Sequence, residues 1–286
     1  MNWPDWDVIA GQAAALGAML SDLLDFESGI DPRRSAWYRQ HLDEPVIDYL
    51  TVEKPGRLLR ETATGMPCPR RLSVREYFAA LGVFELYDAD DPGSLRRMQY
   101  ASINAWGFVG FQVGEAVLID IGYYRAAREQ GRETFYGGPL PNRVWAHGVR
   151  RHQAQMPGRA EPVLLTDVNE WCGEFLGRDS LRCFADLRTR ACQEAVIRSA
   201  FSFNYAQIVR QINETGVTYA SLRARSWRLG TEQVRFSVSG MLAAAHLCGA
   251  RGAAHLLIEG LDPEDEWGVS ALSYLKRFAG YALERS

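Results

Sequence analysis

Leu23-Leu24-Asp25-Phe26-Glu27-Ser28-Gly29 closes the first long apolar periodicity of the chain. Upstream of it, Ile9, Ala13, Leu16, Leu20 and Leu23/Leu24 recur at helical spacing, which predicts one amphipathic helix over 7–26. Gly29 can adopt a positive φ and Pro32 cannot continue a helix, so the element stops at Glu27. A carboxylate there meets the negative end of the helix dipole. With Phe26 beside it, this position predicts a pKa raised above the usual range.

Working outward, most of the pattern is helical. Ser73-Val74-Arg75-Glu76 has capping-box spacing and opens a helix through Leu81. Pro92-Gly93-Ser94 opens another, running to Asn104. Gly107 to Gly110 reads as a tight turn, followed by an apolar helix over 111–123. Further helices are predicted over 180–212 (one or two), 240–248 capped by Ser239, 251–259 and 270–281. Short alternation at 46–50 and 57–60 with a turn at Thr64-Gly65 suggests a small hairpin. Residues 131–170 are rich in Gly and Pro and read mostly as loop. The fold class expected is mainly α (α+β).

Composition narrows the chemistry. The 286 residues, 47% hydrophobic and 23% charged, suffice for one sizeable core. A formal charge of -3 and the lack of a basic run argue against a nucleic-acid partner. Five cysteines, an odd number without paired short spacing, read as reduced thiols. His147 and His152 lie five apart in a predicted loop with no evident third ligand, so no metal is expected. No phosphate-binding glycine loop and no Gly-x-Ser-x-Gly occurs, and no cofactor is expected. Acids at Asp5 and Asp7 stand where a signal peptide carries bases, and no apolar run of spanning length is apparent. The expectation is a product that is cytoplasmic as synthesised, without a membrane partner.

Three later stretches accompany the Glu27 turn: Gly107-Phe108-Val109-Gly110-Phe111-Gln112-Val113, Leu242-Ala243-Ala244-Ala245-His246-Leu247-Cys248-Gly249, and Tyr274-Leu275-Lys276-Arg277-Phe278-Ala279-Gly280-Tyr281. In this order they resemble the motifs of the lysozyme-like superfamily, especially its soluble lytic transglycosylase and goose-type lysozyme branch. In that branch a Glu-Ser pair ends the first core helix and the Glu is the general acid. A Gly-Leu-Met-Gln-like turn follows, which Gly110-Phe111-Gln112 resembles. An Ala-Tyr-Asn-Ala-Gly-like helix end comes next, which Ala245-His246-Leu247-Cys248-Gly249 resembles, and a final helix carries a Tyr, as Tyr274 does here.

The resemblance implies a lysozyme-like helical core forming a single domain over 1–286, with an insertion at about 33–72 and a loop-rich insertion at about 131–180. It implies Glu27 as the acid, Ser28 as its neighbour, Gln112 as a contact to a substrate amide and Gly249 as a close-packed turn. Here the motif-three Tyr-Asn is His246-Leu247, so the contact to the acid is lost or made by His246. Tyr100 and Trp106 flank the second motif and are candidates to line a cleft. Inverting hydrolysis needs two acids about 6.5–9.5 Å apart. Glu115 and Asp120 are the candidates for the second, Glu115 sharing a helical face with Gln112 if both are helical. A lytic transglycosylase needs no second acid, because the sugar's own N-acetyl group stabilises the cation.

Bland readings stand beside these. His246 on an apolar helix is more often a core histidine than a catalytic one, Gln112 serves equally as a helix cap, and the eight tryptophans mostly fill cores. The first functional expectation is a glycan-cleaving enzyme, muramidase-like, acting on a β-1,4-linked amino-sugar polymer such as peptidoglycan. Glu27 and Glu115 would be its catalytic residues, and Ser28, Tyr100, Gln112, His246 and Tyr274 would bind substrate. Without an export signal, a phage lysin or an effector delivered by a secretion machine to the periplasm or cell wall would fit. The alternative is a non-catalytic glycan- or protein-binding module that keeps the same fold. A third is a chitosanase-type enzyme with an acid facing Glu27 across a water.

Overall fold

The computed structural model describes residues 2–50, 52–53, 57–58, 69–125, 128–129, 132–133, 142–146, 149–154, 163–166, 169, 171, 173–265 and 268–284. The predicted Thr64-Gly65 turn, His147, and much of the insertion expected at 131–180 lie outside the described residues. The chain is mainly α (α+β), with short strands in small sheets. It divides into two compact units, Leu24–Ile197 and Met1–Leu23 with Arg198–Ser286.

The helices are α1 Trp6–Ala10, α2 Ala13–Glu27, α3 Ser35–Gln40, α4 Val74–Ala80, α5 Ser94–Ala101, α6 Glu115–Asp120, α7 Phe184–Leu187, α8 Arg190–Glu214, α9 Tyr219–Ala224, α10 Val238–Glu259 and α11 Ala271–Arg277. The single helix predicted over 7–26 is thus two. The Gly11 amide returns to the Asp7 carbonyl at 2.9 Å and Gln12 to that of Ile9 at 3.1 Å, which closes α1. Leu16 then bonds to the Gln12 carbonyl at 2.9 Å and starts α2. Ser73 and Glu76 make the predicted capping box at α4, each side chain bonded to the other's backbone amide.

The helix predicted over 111–123 shrinks to α6. Gln112 takes a φ of 56°, and Gly114 is extended at φ -116°, ψ 170°. Neither conformation belongs to a right-handed helix, so α6 begins only at Glu115. The hairpin is also re-paired: Ile47–Leu50 runs antiparallel to Pro69–Leu72, and Val52–Glu53 to Arg57–Leu58. The outer pairing sets Ile47 opposite Leu72, and both pack on the core of this unit. Apolar burial, which sequence alternation alone cannot assign to a partner strand, selects that register. Three antiparallel strands, Asn142–Ala146, Val149–Ala154 and Val163–Thr166, replace part of the predicted loop.

In the unit Leu24–Ile197, Ile30, Tyr38, Val74, Tyr77, Phe78, Leu95 and Met98 form one buried cluster beneath the chain that leaves α2. Phe78 stacks edge-on against Tyr38 at 5.1 Å, a favourable aromatic geometry.

In the other unit, α10 and α11 lie so close that a Cβ on Gly240 would run into the Leu275 carbonyl. The cap of α10 is Ser237, which accepts from the Gly240 amide at 3.0 Å, two residues before the predicted Ser239. Gly249, at φ 72°, ψ 168°, breaks α10 where the sequence predicts the boundary between two helices. A stretch of α10 has the length and apolar composition to cross a membrane, with a mean hydropathy of 1.3 and 50% of it buried inside the protein. The break at Gly249 and that burial suit a core helix. Trp3 packs on Tyr205, Tyr219 and Phe236 with ring centroids 5.0–6.1 Å away.

Candidate functional site

Helix α2 stops where its sequence stops favouring it. The Ser28 amide still bonds to the Leu24 carbonyl at 3.0 Å, and Gly29 then turns the chain with a φ of 68°. Glu27 is half-buried at this corner, while Phe26 beside it is 39% exposed.

The corner is held from several sides. Tyr77 of α4 donates to the Gly29 carbonyl at 2.9 Å, and a side chain on Gly29 would collide with that hydroxyl. The Asp31 amide donates to the Tyr38 hydroxyl at 3.0 Å. Gln99 of α5, fully buried, donates to Asp25 Oδ1 at 2.8 Å and to the Ile30 carbonyl at 2.5 Å. Arg96 pairs with the same Asp25 oxygen at 3.0 Å. Buried hydrogen bonds of this kind fix one geometry, because breaking any of them leaves an unsatisfied polar group.

Gln112 completes the frame. Its Nε2 donates to the backbone carbonyl of Glu27 at 2.8 Å, and its Oε1 accepts from Asn104 Nδ2 at 2.6 Å. A positive φ on a residue other than glycine is strained and persists only where surrounding bonds over-determine it. The turn that presents Gln112 is shaped by close approach: a Cβ on Gly110 would lie 2.7 Å from the Gln193 side-chain oxygen. Gln193 is itself buried, accepting from the Phe111 amide at 3.2 Å. The first and second motifs, 85 residues apart, therefore meet at the Glu27 main chain.

Of the other predicted residues in this unit, Ser28, Tyr100 and Glu115 are enclosed. Ser28 is 3% exposed and bonds locally to Ile30. Tyr100 is 5% exposed and donates to Glu194 Oε1 at 2.8 Å; burial, then the Glu194 bond, pushes its phenol up to about 12. Glu115 is 5% exposed, its carboxylate accepting from the Tyr124 hydroxyl at 2.8 Å and its amide donating to Asn169 Oδ1 at 2.7 Å. Because α6 begins at Glu115, the helical face that this residue was expected to share with Gln112 does not exist. Asp120, at the other end of α6, is exposed, and partial desolvation of its carboxyl pushes it up to about 6.

His246 and Tyr274 belong to the other unit. His246 is half-buried on α10 with the Phe201 ring edge-on at 6.4 Å, and Tyr274 is buried on α11 against Phe278. Beyond its chain neighbours and the adjacent backbone of α10, nothing lies within 4 Å of where a Cβ on Gly249 would be, so this glycine serves its φ of 72° and the close packing expected of it is absent.

Sequence reasoning missed Asn104, Gln99 and Asp25. The only signal for Asn104 was its place eight residues before Gln112, which does not reveal a partner. Among the described residues no three His, Cys, Asp or Glu side chains converge as metal ligands would. No family model, no curated protein and no solved structure matches this chain.

Proposed function

We propose that this protein is a glycan-cleaving enzyme of the lysozyme-like type, acting on a β-1,4-linked amino-sugar polymer such as peptidoglycan, with Glu27 as its general acid. The observation that carries the reading is the bond from Gln112 Nε2 to the Glu27 carbonyl at 2.8 Å. It joins the acid's turn to the glutamine turn, the two segments on which the resemblance chiefly rests.

The chemistry follows from position. Glu27 is half-buried at the C-terminal end of α2, where the helix dipole disfavours the charged carboxylate. As general acid, Glu27 would give its proton to the glycosidic oxygen as the bond to the anomeric carbon breaks. Glu115 is enclosed and bonded to Tyr124, which favours a route that needs no second acid in contact with the sugar. The substrate's N-acetyl oxygen would then stabilise the anomeric carbon, and the 6-hydroxyl of the same sugar would close on it, returning its proton to Glu27. The product of that route carries an anhydro end.

Glu27→Gln keeps the size and hydrogen-bonding capacity of the side chain but cannot supply the proton. It is expected to lower release of soluble fragments from purified cell walls by about 100-fold or more, with an unchanged melting temperature. Mass analysis of the wild-type digest separates anhydro ends, expected here, from the reducing ends of a hydrolase. Wild-type protein that leaves walls intact from pH 4 to 8 sinks the proposal.

The second reading, a binding module that keeps the fold without cleavage, draws on the enclosure of Ser28, Tyr100 and Glu115 and on His246-Leu247 in the third motif. Sedimentation with insoluble walls in the absence of any soluble fragment would favour it.

A further inference from the structure

Two side-chain amides stand in series behind Glu27, and their polarity is determined from one end. Asn104 Oδ1 accepts from the backbone amides of Trp106 at 2.9 Å and Phe108 at 3.0 Å. Backbone N–H groups can only donate, so the atom facing them has to be the oxygen, and the NH2 of Asn104 points the other way. That NH2 donates at 2.6 Å to Gln112, which fixes the receiving atom as Oε1. The remaining atom of Gln112 is then Nε2, a donor, and it meets the Glu27 carbonyl at 2.8 Å. Each amide is oriented by the one before it.

We propose that Asn104 is a positioning residue for Glu27: it sets the orientation of the Gln112 amide, which in turn holds the main chain that carries the acid. The inference rests on the proposed role of Glu27 only for its catalytic consequence; the amide series itself can be tested without it. Backbone bonds reinforce the arrangement, since the Asn104 amide donates to the Phe108 carbonyl at 3.0 Å and the Gly107 amide to the Asn104 carbonyl at 2.9 Å. The loop 104–108 is thus closed on Asn104 by main chain and side chain together, which leaves the Asn104 side-chain NH2 aimed at Gln112.

Asn104→Asp isolates this function. The aspartate is the same size and still accepts from Trp106 and Phe108, so the loop keeps its bonds. Its second oxygen, however, faces Gln112 Oε1, two acceptors without a proton between them. Gln112 then either turns over, setting its oxygen against the Glu27 carbonyl, or withdraws. Protonating the introduced carboxylate restores an O–H donor toward Gln112 and with it the native order.

The O–H given to Gln112 favours the neutral form of the introduced carboxyl, whereas the Trp106 and Phe108 amides, which it accepts, favour the ionised form. Only the protonated form can donate to Gln112, so native geometry is present below the pKa of this carboxyl and is lost as pH rises through it. The titratable groups that α2, α5 and α6 carry in this unit are Asp25 and Glu27 on the first, Arg96, Arg97 and Tyr100 on the second, and Glu115 and Asp120 on the third. They are common to both proteins, so the ratio of variant to wild type cancels what they contribute alike, and the Glu27 resonance reports the geometry separately.

The test measures wall-fragment release by full-length wild type and Asn104→Asp from pH 4 to 8, alongside the backbone carbonyl carbon resonance of Glu27 by NMR. The expected result is a loss of about 10- to 100-fold at pH 7 that narrows as the introduced carboxyl takes up its proton, with the Glu27 carbonyl signal displaced at pH 7 and returning in acid. A constant activity ratio with an unmoved Glu27 resonance overturns the inference. If wild type cuts no glycan, the resonance alone decides the amide series and only the enzymatic reading falls. Should Asn104→Asp not fold, Gln112→Glu sets a protonatable oxygen against the Glu27 carbonyl and carries the same pH signature, whose absence is equally fatal.

Discussion

At the scale of single residues, the sharpest constraints fall on the turn 107–114. Gly110 has a φ of 54° and its missing Cβ makes room for the Gln193 amide. Gly110→Ala imposes both a strained backbone and an overlap with a fully buried side chain that holds the Phe111 amide. We expect a loss of about 2–4 kcal/mol in stability, read as a lowered midpoint in urea. A midpoint within experimental error of wild type would mean that Gln193 relaxes freely, contrary to its buried bonds. Gln112 shares the left-handed conformation without being glycine, and the two hydrogen bonds of its amide offset that strain. The same residue thus links local conformation to the placement of Glu27.

Apart from α2, α8 and α10, the described helices have eight residues or fewer, and their ends are decided by capping as much as by apolar periodicity. The seven residues of α4 carry Tyr77 and Phe78 into the core, and Tyr77 also supports the turn after Glu27. A helix of this length has few internal bonds, so its N-terminal amides depend on Ser73 and Glu76. Ser73→Ala should cost about 1 kcal/mol and lower the thermal midpoint by a few degrees. The Glu76 carboxyl is held below the usual carboxylate range, first by the Ser73 backbone amide and then by its side chain. A lowered folded-state pKa means that this contribution is present above the ordinary Glu value and is lost as pH falls through the lowered one. The difference between wild type and Ser73→Ala should therefore narrow in acid, and a difference that widens below pH 4 would contradict the capping account.

At the scale of the whole molecule, each of the two compact units has its own way of tying sequence-distant segments together. In the unit built from Met1–Leu23 and Arg198–Ser286, Glu284 plays that part. Its carboxylate takes the Val238 amide at 2.6 Å at the start of α10, the Tyr219 hydroxyl at 2.5 Å, and the Arg223 guanidinium. A carboxylate at a helix N-terminus is favoured by the dipole as well as by the bonds. Glu284→Gln turns one acceptor into a donor among three donors and should cost about 1–3 kcal/mol. Hydrogen exchange is expected to quicken at the first amides of α10, and unaltered protection there would show the clamp to be dispensable. In the unit Leu24–Ile197, the aromatic cluster of Tyr38, Tyr77 and Phe78 does the corresponding work beneath the Glu27 corner.

The sequence alone determined the helical character, the capping box at Ser73, the chain reversal after Glu27 and the glycine turn before Gln112. These follow from local rules: period, capping spacing and the freedom of glycine at positive φ. Tertiary structure alone decided that Ile47–Leu50 pairs with Pro69–Leu72, that α6 waits until Glu115, and that Asn104, through Gln112, reaches the main chain of Glu27. The first depends on which apolar face is buried and the second on a left-handed residue that is not glycine. The third depends on hydrogen bonds between positions 85 residues apart, and side-chain amides carry no sequence signal for the partner they will find.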